Sequence, residues 1–200
     1  MDDESYFTFS GSNMPGNVGY YAEAGGDVPA HVKYRCESKF PKKLMVWAAI
    51  SPRGVSEPVI MASRESVGGV VYREKCLRKG LIPFLNEKYP DRDMVFWPDL
   101  ASAHYARETL DLLREERVPV VQREENPPCT PQIRPIEDLS GIIKQKVYRG
   151  GWEAKTEAQL KRRIRQVIRN IDPEVPRNMM KSLPERTRMA ERMGVESQIH

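Results

Sequence analysis

The chain is poor in cysteine, in long apolar runs and in any glycine signature for nucleotides, and each shortage excludes something. Its three cysteines, Cys36, Cys76 and Cys129, are odd in number and lack the close pairing of a zinc site or a disulfide scaffold. Reduced thiols in an intracellular protein are therefore expected. No apolar stretch at the start has the form of a signal peptide, and no uninterrupted apolar run reaches the roughly 18 residues of a membrane helix, so no membrane partner is expected. The segment "SGSNMPGNVGYYAEAGGDVP" is rich in Gly, but it offers neither a GK[ST] ending nor G-x-G-x-x-G spacing, which removes a nucleotide-phosphate loop. Internal repeats and low-complexity tracts are missing too.

What is present suits a folded α/β domain. In 200 residues, 40% are hydrophobic and 30% charged, enough for a central sheet covered by helices and too apolar for a wholly disordered chain. The net charge of +4 conceals an asymmetry: residues 141–193 hold fourteen Lys or Arg against six acids. A basic region of that kind fits either an anionic partner such as nucleic acid or an ordinary solvated helical surface.

Along the chain, "SYFTF" has strand composition and feeds the Gly-, Pro- and Asn-rich loop. "KLMVWAAIS" is a continuous apolar run suited to a strand buried on both faces, and "SPRG" turns it into "GVSEPVIM" as a hairpin. Residues 70–86 read as helical, with Gly80 and Pro83 expected to split or kink them. "MVFWPDLASAHYA" reads as a fourth strand, followed by a helix over 103–116 and a short fifth strand at "VPVV". After the Pro-rich connector "ENPPCTPQIRP", Pro135 fits the first turn of a helix. "TEAQLKRRIRQVIRNI" then places Leu160, Ile164, Val167, Ile168 and Ile171 on one face and a basic row on the other. Trp47 and Trp97 read as strand core residues.

Three acids stand where such a chain displays chemistry. Asp99 lies just past the end of its strand, a position where α/β sheets present reactive groups, although an Asp there also serves as a turn or cap residue. Glu137 lies in the first turn after Pro135, where the helix dipole favours a carboxylate by roughly 0.3–1 kcal/mol. Asp2, Asp3 and Glu4 precede the strand-forming "SYFTF", where a solvated acidic terminus is the other reading. Carboxylates from separate elements repel one another unless a hard cation joins them, so convergence of these groups points to Mg²⁺. His104, five residues after Asp99, reads as helix packing or capping, imidazole being a poor Mg²⁺ ligand.

With these segments in order, "DDESYFTF", "KLMVWAAISPRGVSEPVIM", "WPDLASAHYA", "NPPCTPQIRPIED" and "VYRGGWEAKTEAQLKRRI", the chain resembles the catalytic region of Tc/mariner-type DDE transposases. The resemblance implies an RNase H-like fold, a mixed five-stranded sheet flanked by helices. It implies Asp3, Asp99 and Glu137 as the catalytic acids and metal ligands for two Mg²⁺ or Mn²⁺ ions. The implied activity is cleavage of DNA strands and their transfer to target DNA, in the nucleus. Residues 1–183 correspond to the catalytic domain and 184–200 to a tail. The paired helix-turn-helix units that such transposases carry ahead of this domain have no counterpart here, so little end specificity is expected unless another chain supplies that recognition, and a homodimer is a further expected partner. Lys161, Arg162, Arg163, Arg165 and Arg169 form the expected phosphate-binding row. Leu139 and Ser140 stand where relatives tend to have an aromatic residue, and only Met1 and Asp2 precede Asp3, so a loosened helix and a fraying first strand are expected. An inactive or domesticated nucleic-acid-binding remnant is the alternative reading.

Overall fold

A computed structural model describes residues 1–10, 42–62, 67–128 and 131–193. The Gly-rich loop, Cys36 and Cys129 lie outside these residues. Strand β1 (Asp2–Thr8) pairs antiparallel with β2 (Lys43–Ser51) from Asp2↔Ala49 to Thr8↔Lys43. Pairing reaches the first residue, where the Met1 carbonyl accepts from Ile50 N at 2.8 Å. β2 turns into β3 (Gly54–Val55), and β4 (Val59–Ala62) pairs with the other half of β2. Gly54 supplies the turn with φ of 134°, a conformation that side-chain-bearing residues avoid.

β2 is buried on both faces, as its unbroken apolar run requires. Leu44, Val46 and Ile50 face one core, shared with α4 (Pro135–Val147) and α5 (Glu157–Arg169). Met45, Trp47 and Ala49 face a second core beneath the helical span formed by α1 (Gly69–Val71), a π-wound stretch (Tyr72–Leu81) and α2 (Ile82–Lys88). The expected split at Gly80 and Pro83 is replaced by this wider winding. Pro83 sits where the span passes from π-wound to α-helical. Gly80 is required by contact, because a Cβ there would lie 2.4 Å from the Trp47 ring.

The five-stranded sheet is not seen. Among the described residues the sheet has four strands, and the expected fourth and fifth strands reduce to one parallel bridge, Phe96↔Val120. Phe96 N donates to Pro119 O at 2.7 Å and Val121 N to Phe96 O at 2.9 Å. Pro98 and Pro119 have no N–H to extend that ladder, which explains why it stops after two bonds.

Helix α3 (Arg107–Glu115) starts four residues later than expected, since 101–106 form turns around Asp99 and His104. Pro135 opens α4 as read from the sequence. Thr156 caps α5 by accepting from Gln159 N at 3.2 Å, and Leu160, Ile164, Val167 and Ile168 are buried. Leu139 is fully buried in the core, so α4 is packed there and not loosened. α6 (Glu174–Lys181) and α7 (Leu183–Met193) follow. Much of the expected tail is thus helical, and Arg186 ties α7 to Asp138 at 2.5 Å. No described helix is long and apolar enough to cross a membrane.

Candidate metal and nucleic-acid site

Successive residues of a strand point to opposite faces, so β1 sends Asp3 toward α4 and sends Asp2 and Glu4 toward the Tyr72 side. Asp2 is fully buried. Its Oδ2 accepts from Trp47 Nε1 at 3.0 Å and from the Tyr72 hydroxyl at 2.7 Å, while Oδ1 has no hydrogen-bond partner among the described residues.

Asp99 follows the Phe96 bridge and stands beside β1. One carboxylate oxygen of it, one of Asp3 and one of Glu4 lie within 4.8 Å of each other. Glu137 is not in this tight group. It is exposed on the first turn of α4, and it lines, with Asp3 and Asp99, a cavity of about 180 Å³ that Asn126 and Arg134 also border. Asp3 and Asp99 therefore meet as the sequence suggested, Glu137 faces the same cavity from its rim, and Glu4 is the member closer to hand.

The electrostatics of these carboxyls differ. Burial pushes Asp3 up to about 7, reinforced by the charge of Glu137 and opposed by Arg134. Burial also pushes Glu4 up to about 7, with Asp2 adding to the effect. Glu4 Oε1 is buried without a hydrogen-bond partner among the described residues. At Asp99 burial acts upward too, but the close contact with His104 and the Ala101 N–H at 2.8 Å hold the carboxyl below its ordinary value. His104 Nδ1 lies 2.5 Å from Asp99 Oδ1, and its ring stacks on Tyr72 with centroids 4.0 Å apart. Burial works against the imidazolium, yet that close contact and the charges of Asp2, Asp99 and Glu4 raise the His104 pKa. The packing role expected for His104 is therefore joined by a direct hold on Asp99.

Two residues that hold the site were not singled out by sequence. Asn126 accepts from Trp97 Nε1 at 2.8 Å and donates to Pro98 O at 2.8 Å. Arg134, 8% exposed, occupies the N-cap position of α4, where Ser, Thr, Asp or Asn is usual. A cation in that place was the available signal.

The basic row divides. Lys161 pairs with Glu157 at 2.5 Å, and Arg169 pairs with Glu57 through contacts of 2.7 and 3.2 Å. Arg163 lies over the Trp152 ring at 5.5 Å and donates to Val147 O at 3.4 Å. Arg162 and Arg165 are exposed and make no ion pair with a described residue.

Hard divalent cations prefer oxygen ligands, and the donor set here consists of carboxylates with one orphaned buried oxygen, which fits such an ion. An α/β domain with acids gathered at its first strand is thus defined. No protein-family model and no curated protein matches the chain. Solved structures do. The Mos1 transposase paired-end complex with left transposon end matches at 22% identity and a TM-score of 0.74, over 92% of this chain and 52% of that one. The Mos1 mariner paired end complex with Mn matches at 22% identity and 0.72, over 94% and 53%. The catalytic domain of Mos1 mariner transposase matches at 21% identity and 0.59, over 73% and 70%. The chain has the fold of the Mos1 catalytic domain, and it spans about half the length of the complexed Mos1 chains.

Proposed function

We propose that this chain is the catalytic domain of a Tc/mariner-type DDE transposase, cutting DNA and transferring strands in DNA transposition, with Asp3, Asp99 and Glu137 as its catalytic acids. The observation that carries this reading is the cavity into which β1, the segment after the Phe96 bridge and α4 each deliver one of those acids. The RNase H-like mixed sheet belongs to the same reading, with the Phe96↔Val120 bridge as the remnant of its last two strands.

Asp3 and Asp99, with Glu4 beside them and Glu137 at the rim, would hold Mg²⁺ or Mn²⁺, two ions in the full site. Bound divalent ions supply Lewis-acid polarisation of a phosphodiester and activation of the attacking oxygen. The protein's share is positioning. His104 restrains the Asp99 carboxylate at the cavity through the Nδ1–Oδ1 contact. The raised carboxyls of Asp3 and Glu4 exchange protons for a cation near neutral pH. Arg162 and Arg165, exposed and without an ion pair to a described residue, are the cations of the α5 row most available to DNA phosphates, with Lys161, Arg163 and Arg169 committed in part to internal contacts. End recognition comes from helix-turn-helix modules outside the described domain, and the site of action is the nucleus.

Nicking of supercoiled plasmid in Mn²⁺ tests the reading. Wild type should convert plasmid to open circle, and a folded Asp99→Ala variant should be slower by about a thousandfold, corresponding to roughly 4 kcal/mol of lost metal stabilisation. Equal rates would remove Asp99 from the chemistry. DNA binding by wild type without any cleavage would favour the remnant reading.

A further inference from the structure

A buried guanidinium is costly unless its donors are met, so the partners of Arg134 show what it is there to hold. Nη2 donates to Asp2 O at 2.9 Å, and Nη1 donates to Pro98 O at 3.1 Å. Each acceptor belongs to the residue immediately before an acid of the cavity, Asp3 in one case and Asp99 in the other. The Arg134 carbonyl in turn accepts from Glu137 N at 3.2 Å, in the first turn of α4. One residue thereby touches the backbone beside all three acids, across sequence separations of 132 and 36 residues.

These contacts use the planar fork of the side chain. Two amino groups set apart in one plane reach two carbonyls from different segments, which a compact ammonium on a shorter reach does less well. β1 and the Pro98 segment share no ladder among the described residues, since pairing around Pro98 is limited to the single Phe96 bridge. The guanidinium substitutes for the missing rungs.

We propose that Arg134 is a positioning residue that sets the spacing of Asp3, Asp99 and Glu137 by clamping the backbone next to each. The proposal rests on the metal-site reading above. As a mere neighbouring charge, Arg134 would repel a cation, and its removal would tighten metal binding. As a clamp, its removal loosens the ligand set and weakens binding, as loss of supporting partners does in metal sites generally, by about 10- to 100-fold.

Mn²⁺ binding, followed by the loss of the free-ion EPR signal, separates these cases. It is measured on the full chain well below the melting temperature of each variant. Arg134→Met should bind Mn²⁺ at least about tenfold more weakly than wild type, and Arg134→Lys should fall between them. Binding by Arg134→Met as tight as wild type, or tighter, overturns the proposal. A role confined to fold stability would lower the melting temperature and leave the Mn²⁺ affinity of the folded variant unchanged, which also overturns it. Should neither variant fold, NMR of the wild-type guanidinium decides: distinct, slowly exchanging Nη–H signals are expected for a clamp, and fast averaging contradicts it. Failure of wild type to bind Mn²⁺ would count against the metal-site reading, while the guanidinium signals would still decide the clamp.

Discussion

Asp3 and Glu4 are adjacent in the chain and sit on opposite faces of one strand, yet both carboxyls are pushed to about 7 by burial. In each, the folded state binds its proton more tightly than the unfolded chain, so stability falls as pH rises from about 4 through 7. His104 acts in the same sense, because its raised pKa favours the protonated folded form and that contribution fades above it. Asp99 is held low, so its contribution is lost only under more acidic conditions. The metal-free protein should therefore melt at a lower temperature at pH 8 than at pH 5.5, and Mn²⁺ should recover much of the difference at pH 8. Thermal melts in EDTA and in Mn²⁺ measure this, and a melting temperature that climbs with pH in EDTA would contradict the described environment of these acids. Asp3, Asp99 and Glu137 stand out in the sequence through the resemblance to the transposases, their local positions alone fitting cap and turn roles as well, and all three line one cavity. Arg134, Asn126 and the orphaned oxygen of Glu4 are not legible there. Their roles arise from contacts between residues far apart in the chain, which no local pattern encodes.

Elements were legible where the pattern was continuous. β2 matches its apolar run from Lys43 to Ser51, and α5 matches the capped, amphipathic stretch after Thr156. The strands around Phe96 and Val120 fail for a local reason, the prolines that flank them, which composition alone understates. The helical span beneath Trp47 fails differently: Gly80 was read as a helix breaker, and it is a contact point where the indole presses on the backbone. Gly80→Ala should therefore destabilise the fold by about 1–3 kcal/mol, the usual cost of forcing a methyl into a packed core. Urea unfolding measures the loss, and a neutral or stabilising result would show that the span yields to the ring.

At the scale of the whole molecule, one strand separates two cores, and the acids collect at the end of β1 where neither core closes. Helices α4 and α5 build one wall and deliver both Glu137 and the basic row, while the span from Gly69 to Lys88 builds the other and supplies Tyr72 behind His104. The carboxylate geometry points to that edge of the protein. Anomalous diffraction at the manganese edge from crystals equilibrated with Mn²⁺ probes that edge most directly. A peak bounded by carboxylate oxygens of Asp3 and Asp99, with Glu4 or Glu137 completing the ligands, is the expected result. A fully occupied peak elsewhere, or none beside Asp3 and Asp99 at millimolar Mn²⁺, would contradict it.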